Sequence, residues 1–276
     1  MYKCISVLFI CFVFSTTTKA QTKVDTAGVA LQKLALSIQT DTVIANRFKS
    51  DSIFTRALIQ TLKQPYSYNF HYDSLTAIKI LFAPDNAFKI FSWQLDLGDG
   101  TYRQRAAMQL PTIDGALKLL PFFDNSDFIE NPSRELTSRK NWIGAIYYQI
   151  VLTEFNNKKY YTLIGYDEYN LAVSRKIIEV MHFENNEPIL GGDYFRYPPD
   201  ETYPLAPIDR FIYAYKKGSN AFIRYEPSSK RIVLSELTST EKDLKVASTL
   251  VPSGNELFFE WKQGKWIMAP KLAHKK

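Results

Sequence analysis

WIGAIYYQIVLTEF (residues 142–155), NNKK (156–159) and YYTLIGY (160–166) read together as a β-hairpin. Both arms are rich in β-branched and aromatic residues, which suit a pleated, half-buried surface, and a short polar link joins them. Alternation along the arms puts Tyr147 on the face opposite Tyr148, and Tyr161 opposite Tyr160 and Tyr166. The same pattern extends upstream. Residues 77–82 and 88–95 flank Ala83-Pro84-Asp85-Asn86, a turn with proline near its first corner. Residues 101–110 follow Asp99-Gly100, and 116–123 follow Asp114-Gly115; Asp-Gly is favoured in type I′ hairpins because both corners need positive φ.

Downstream, strands are expected over 175–183, 210–215, 221–226, 230–237, 256–261 and 265–269. Their turns are Asp167–Asn170, Lys217-Gly218-Ser219-Asn220, Pro227-Ser228-Ser229 and Gln263-Gly264. About twelve strands joined by tight turns predict sequence neighbours paired antiparallel, and no helix alternates with them as a doubly wound fold requires. The strands fall into three groups, near 77–123, 142–195 and 210–269. The fold class is therefore a mainly β antiparallel meander, as a curved sheet, an open barrel or a propeller-like arrangement.

Ahead of the strands the period changes to that of a helix. Leu31, Leu34, Ala35 and Ile38 recur at i, i+3, i+4 and i+7, with Asp25 and Thr26 available as N-cap. A second helical stretch covers about 41–63, with Phe54, Ala57, Leu58 and Leu62 on one face. Asp51 or Ser52 is available to cap a fresh start, and Gln64-Pro65 ends it. The predicted organisation is a leader over 1–20, a helical hairpin over 21–64, a β domain over 65–270 and a basic tail over 271–276. Two polar, proline-bearing stretches, 124–139 and 191–209, read as long loops, the second with Pro198, Pro199, Pro204 and Pro207.

Residues 1–20, MYKCISVLFICFVFSTTTKA, have the grammar of a signal peptide: Lys3, an apolar run from Ile5 to Phe14, then Thr18-Lys19-Ala20 as a small-x-small cleavage site. The apolar run is about half the length of a membrane-spanning helix. Ile10 before Cys11 is large and branched where a lipobox wants a small residue, so cleavage after Ala20 and a periplasmic or secreted address are expected over a lipoprotein. Cys4 and Cys11 both fall in the leader, so the mature chain has no disulfide, thiol nucleophile or thiolate ligand. Removing Lys3 and Lys19 with the leader leaves 32 basic residues against 28 acidic, a net +4 in place of +6. That charge is scattered apart from the 271–276 tail, which argues against a nucleic-acid partner. At 46 % hydrophobic and 22 % charged residues, collagen, disorder and coiled coil are disfavoured.

Several segments, Phe88-Lys89-Ile90-Phe91-Ser92-Trp93, Gly100-Thr101-Tyr102-Arg103, residues 142–150, KYYTLIGYD (159–167), Arg175-Lys176-Ile177-Ile178 and Gly264-Lys265-Trp266, resemble a group of uncharacterised exported bacterial proteins. The resemblance spans most of 50–269 and rests on strand and turn signatures. It implies an exported address and a mainly β body, and no activity. Two positions depart from the group: Ser235-Glu236-Leu237 where Asp-His is expected, and Pro252-Ser253-Gly254 where Pro-Asp-Gly is expected.

The chemistry is sparse. His71, His182 and His274 lack metal-ligand spacing, and His182 in VMHF reads as a satisfied, half-buried imidazole. Asp96-Leu97-Gly98-Asp99-Gly100 has Gly98 at the third position, where a calcium loop needs Asp or Asn, and reads as a turn. No Gly-x-Ser-x-Gly elbow or phosphate loop is present, and no cofactor is expected. Glu154, Asp167, Glu168, Asp193 and Asp209 could supply a paired-carboxylate hydrolase, with Asp167-Glu168 expected in an exposed turn. Aromatic faces remain: one on 211, 213 and 215, one on 257, 259 and 261, and a binding set of Trp93, Tyr147, Tyr161, Tyr194, Tyr197 and Tyr203. The reading is a non-enzymatic binding or assembly protein of the cell envelope, with an envelope protein or glycan as partner. A carbohydrate-active hydrolase is the alternative.

Overall fold

The computed structural model describes residues 14–196, 209–241 and 244–269. The described chain divides into two compact units, one holding the residues up to Ile78 together with Pro111–Lys118, the other Lys79–Leu110 and everything from Leu119 onward.

The first unit is a helical hairpin of α1 (Phe14–Thr40) and α2 (Ile44–Leu62). Leu31, Ala35 and Ile38 on α1 and Phe54, Leu58 and Leu62 on α2 are buried along the stripes that the 3.6-residue period marks. Ser37 Oγ and Ser50 Oγ meet at 2.9 Å between the helices. The caps differ from expectation. Helix α1 is already running before Asp25 and Thr26, so neither residue starts it. The entry to α2 is set by Asp41, whose Oδ1 accepts the Val43 amide at 2.8 Å, and Asp51 is buried inside the helix. The first thirteen residues of the expected leader and the 271–276 tail lie outside the described residues.

The second unit contains fifteen strands in three sheets. The first sheet is β1 (Lys79–Phe82), β2 (Lys89–Asp96), β3 (Tyr102–Leu110) and β4 (Lys118–Phe123) in sequence order. The second is ordered β5 (Thr137–Ser138), β9 (Glu187–Leu190), β8 (Val173–Glu184), β7 (Lys158–Asp167), β6 (Ile146–Phe155), with β11 (Arg210–Lys216) also paired to β8. The third is ordered β10 (Phe195–Arg196), β15 (Lys265–Met268), β14 (Leu250–Lys262), β13 (Arg231–Ser239), β12 (Ile223–Glu226). The three groups read from the sequence correspond to these sheets, except that β11 joins the second and β10 the third. β10 and β15 run parallel, as does the isolated Asp124–Trp142 bridge, while neighbours such as β1–β2, β6–β7, β7–β8 and β13–β14 pair antiparallel.

The middle sheet is apolar on both faces, and both faces are covered. Tyr161, Leu163, Ile177 and Met181 pack with Phe88, Ile90, Ala106 and Met108 of the first sheet. Val151, Ile164, Ile178 and Val180 pack with Ile232, Leu234, Phe259 and Trp266 of the third. The unit is thus a stack of three β layers with two cores. That is why the β6–β7 hairpin shows so little polar alternation: a strand buried on both faces reads as a near-continuous apolar run.

Local corrections follow turn chemistry. The central hairpin turns on Asn156 and Asn157 alone, both with positive φ (50° and 59°), and Lys158 and Lys159 belong to β7. Asn185-Asn186 closes a second such hairpin, β8–β9, which sequence reasoning missed because a four-residue strand gives too little period. The short β5 and β10 lie in or beside the stretches read as loops. Pro252-Ser253-Gly254 does not end a strand; it lies within β14 opposite a register shift between Ser235 and Leu237.

A buried ion pair joins β8 to β11 within the second sheet. Arg210 and Glu179 have fully buried side chains, with Arg210 Nε donating to Glu179 Oε2 at 2.7 Å. The other Glu179 oxygen accepts the Tyr147 hydroxyl, which itself accepts Trp142 Nε1–H at 2.8 Å. Burial first, and then the Glu179 charge, hold the Tyr147 phenol well above its ordinary pKa. Arg210 also donates to Thr137 Oγ1 at 2.7 Å and to the carbonyls of Pro132, Glu135 and Leu190. Every donor finds an acceptor, as burial demands.

Candidate functional site

The expected aromatic set does not form one surface. Trp93, Tyr147 and Tyr161 are 5 %, 0 % and 3 % exposed, the last two buried between the first and second sheets. Tyr197 and Tyr203 lie outside the described residues. Phe211, Tyr213 and Phe259 are core. Tyr194 is different.

Tyr194 lines an open groove of about 710 Å³ together with Leu136, Asn141, Tyr160, His182 and Glu184. It precedes β10, and its carbonyl accepts the Trp266 amide at 2.7 Å, which pins the residue to β15. Its ring lies over Gly192, whose φ is +131° and where a Cβ would sit 2.4 Å from Tyr194 Cε2. Only glycine meets both demands. The ring stands edge-on to Tyr160 with centroids 5.5 Å apart, and Tyr160 in turn meets Trp261 at 5.8 Å.

The polar tips are organised too. Glu184 Oε1 lies 3.0 Å from His182 Nε2, and the Tyr194 hydroxyl 3.4 Å from His182 Nδ1. A carboxylate accepts only, so it fixes the proton of neutral His182 on Nε2 and leaves Nδ1 to accept from tyrosine. Burial pushes the Tyr194 phenol up to about 12, so it keeps its proton at neutral pH. His182 is the satisfied, half-buried imidazole that the sequence suggests, and it orders the groove.

A second cleft, of about 360 Å³, shares no lining residue with the first. It opens where the inward rows of the first and second sheets turn from apolar to polar. On β3, Met108 and Ala106 give way to Gln104 and Tyr102; on β7, Tyr161 and Leu163 give way to Asp167; on β8, Ile177 gives way to Arg175. Asp167 is 5 % exposed, not at an exposed corner. Its Oδ1 accepts Gln104 Nε2 at 3.0 Å and the Tyr169 amide at 2.9 Å, while Arg175 Nε and Nη2 donate to Oδ2 at 3.2 and 2.6 Å. Asp124, beyond β4, accepts the Ser126 amide and hydroxyl on Oδ1 and the Gln104 amide on Oδ2. Gly144, at φ +74°, lets the backbone close over this corner; a Cβ there would meet Gln104 Cγ at 2.7 Å.

The sequence reading did not find Gln104, Asp124 or Arg175. The available signal was a polar residue in the inward phase of a strand, and it appears only once the face of β3 is known. Of the other carboxylates, Asp193 is held down to about 2, chiefly by the Arg196 hydrogen bond, with Lys265 also donating to it. Glu168 accepts from Ser174 and pairs with Lys217. The Asp96–Gly100 segment is a turn: Gly98 donates to Asp96, and Thr101 to Asp99. Among the described residues, no group of three His, Cys, Asp or Glu is placed to hold a metal ion, and no helix is long and apolar enough to cross a membrane. Set against protein-family models, curated proteins and solved structures, the chain matches none.

Proposed function

We propose that this protein is an exported, non-enzymatic binding protein of the bacterial cell envelope, and that the Tyr160–His182–Tyr194 groove holds a sugar unit of an envelope glycan. The observation that carries this reading is Tyr194. Its ring is seated against Gly192 and Tyr160 at the wall of an open groove, with its hydroxyl fixed by the His182–Glu184 chain. An aromatic ring takes the C–H face of a sugar, and a rim of Asn141, Glu184 and Ser138 supplies partners for its hydroxyls. The signal-peptide grammar of residues 1–20 supports the address.

Occupancy of the carboxylates favours binding over cleavage. Asp124 and Asp167 share one cleft, as a hydrolase pair would, but Asp167 already takes four donors and Asp124 three. A general acid needs room for a proton facing the scissile bond. The test is to incubate the protein with envelope polysaccharide fractions and measure both retention and new reducing ends. Retention without new ends is expected; new ends that disappear in Asp167→Asn would replace this reading with the hydrolase.

A further inference from the structure

We infer that the helical hairpin docks on an anionic phospholipid surface through the outward sides of α1 and α2. The starting observation is a concentration of exposed apolar side chains. Val29, Leu36, Val43, Ile44, Phe48 and Ile53 are all exposed, whereas the other large hydrophobics that the described residues expose are spread from Tyr66 to Val246. The hairpin's own packing does not use these six; it uses Leu31, Ala35 and Ile38 of α1 and Phe54, Leu58 and Leu62 of α2. Helical spacing arranges them. Val29, Lys33 and Leu36 form an i, i+4, i+7 row on the side of α1 away from Leu31 and Ala35, and all three are exposed. Lys49, Ile53 and Arg56 form the same kind of row on the outward side of α2. Val43, Ile44 and Phe48 stand at the entry to α2, the last two one turn apart. Single surface hydrophobics are ordinary, but a cluster of them marks an interaction surface.

Charge selects the occupant. Lys33, Lys49, Arg56 and Lys63 are exposed, and no acidic residue of 27–63 is. Asp51 is buried, and Asp41 is half-buried, its Oδ1 accepting from the Val43 amide at 2.8 Å and from Asn46 Nδ2 at 3.3 Å. Apolar side chains interleaved with cations alone match a surface that offers hydrocarbon beneath a layer of phosphates. The phenyl ring and branched chains enter that interface while lysine and arginine stems reach back to the headgroups. A second copy of the chain fits less well, because pairing two such faces sets Lys33, Lys49 and Arg56 against like charges. The contact is superficial, since among the described residues no helix is long and apolar enough to cross a membrane. None of these residues lines the Tyr194 groove, so the two readings stand or fall separately.

The experiment is co-sedimentation of the full chain with vesicles of phosphatidylcholine alone and of phosphatidylcholine with phosphatidylglycerol, at ionic strengths of about 0.01 M and about 1 M. Binding that requires phosphatidylglycerol and weakens with salt is expected. The triple variant Lys33→Gln/Lys49→Gln/Arg56→Gln should partition about tenfold or more less strongly, and Ile44→Ser/Phe48→Ser about tenfold less, each with the circular dichroism of wild type. All the proteins compared carry the same residues 1–20, so the differences between them read the hairpin. The two variants change separate sets of exposed side chains, and either keeps the test decisive should the other not fold. Failure of wild type to bind the anionic vesicles, equal binding to phosphatidylcholine alone, or binding that the folded variants leave unchanged would overturn the inference. So would a concentration-dependent dimer that Ile44→Ser/Phe48→Ser dissolves, which would give this face to a second copy.

Discussion

Arg210→Met tests how much the buried ion pair between β8 and β11 contributes to the stability of the β unit. The substitution keeps much of the side-chain length and removes the guanidinium, leaving Glu179 fully buried with the Tyr147 hydroxyl as its remaining side-chain donor. It also strips donors from Thr137 Oγ1 and from the carbonyls of Pro132, Glu135 and Leu190. Breaking one side of such a pair costs about 3–5 kcal/mol, because an uncompensated charge stays inside. For a domain of this size that is a fall in Tm of roughly 6–20 °C, at about 2–4 °C per kcal/mol. The double variant Glu179→Leu/Arg210→Met removes both charges and is expected to be more stable than Arg210→Met alone, since no lone carboxylate remains. Urea unfolding followed by tryptophan fluorescence reads both, with Trp142 adjoining the network. A loss below about 1 kcal/mol in Arg210→Met, or a double variant less stable than the single, would refute the reasoning.

Three further outcomes follow from single contacts. Thr162→Val removes the acceptor of the buried Trp266 indole N–H, 2.8 Å away, and is expected to cost about 1–3 kcal/mol in the same unfolding assay. Asn157→Val places a β-branched residue at φ 59° in the two-residue turn and should cost about 1–2 kcal/mol, whereas Asn157→Gly should be neutral or stabilising. Asp193 has its carboxyl held down to about 2 by Arg196 and Lys265, so its contribution is present above the unfolded value of about 4 and is lost as pH falls from there towards 2. The Asp193 side chain is 57 % exposed, which limits Asp193→Asn to under about 1 kcal/mol at neutral pH; the two stability curves should converge below about pH 2.

The strands were legible where period and turn chemistry agreed. The β6–β7 hairpin and the 211–215 and 256–261 strands announce themselves by aromatic and β-branched runs. Strands of two to four residues, such as β5, β9 and β10, carry no readable period, and β9 was missed although Asn185-Asn186 marks its turn. The layering was not legible, because an apolar run is the same whether one partner sheet or two cover it. That ambiguity decides the fate of the aromatic set: Tyr147 and Tyr161 are good ligand platforms on an open sheet and core residues in a stack. Tyr194 differs because it packs half-buried at the margin of the core between the second and third sheets, where its ring, seated over Gly192, also lines a groove. The acidic cleft was illegible for a different reason. Gln104, Asp124 and Asp167 lie on three separate segments, and only the pairing of the layers brings them together.

The most direct test of the binding reading is a titration of the full chain with soluble envelope oligosaccharides, followed by intrinsic fluorescence, for wild type and Tyr194→Ala. The account predicts saturable binding by wild type and a loss of about tenfold or more in the variant, with unchanged unfolding of the β unit. Equal affinity of the two proteins for the same oligosaccharide would contradict it, as would the absence of binding by wild type.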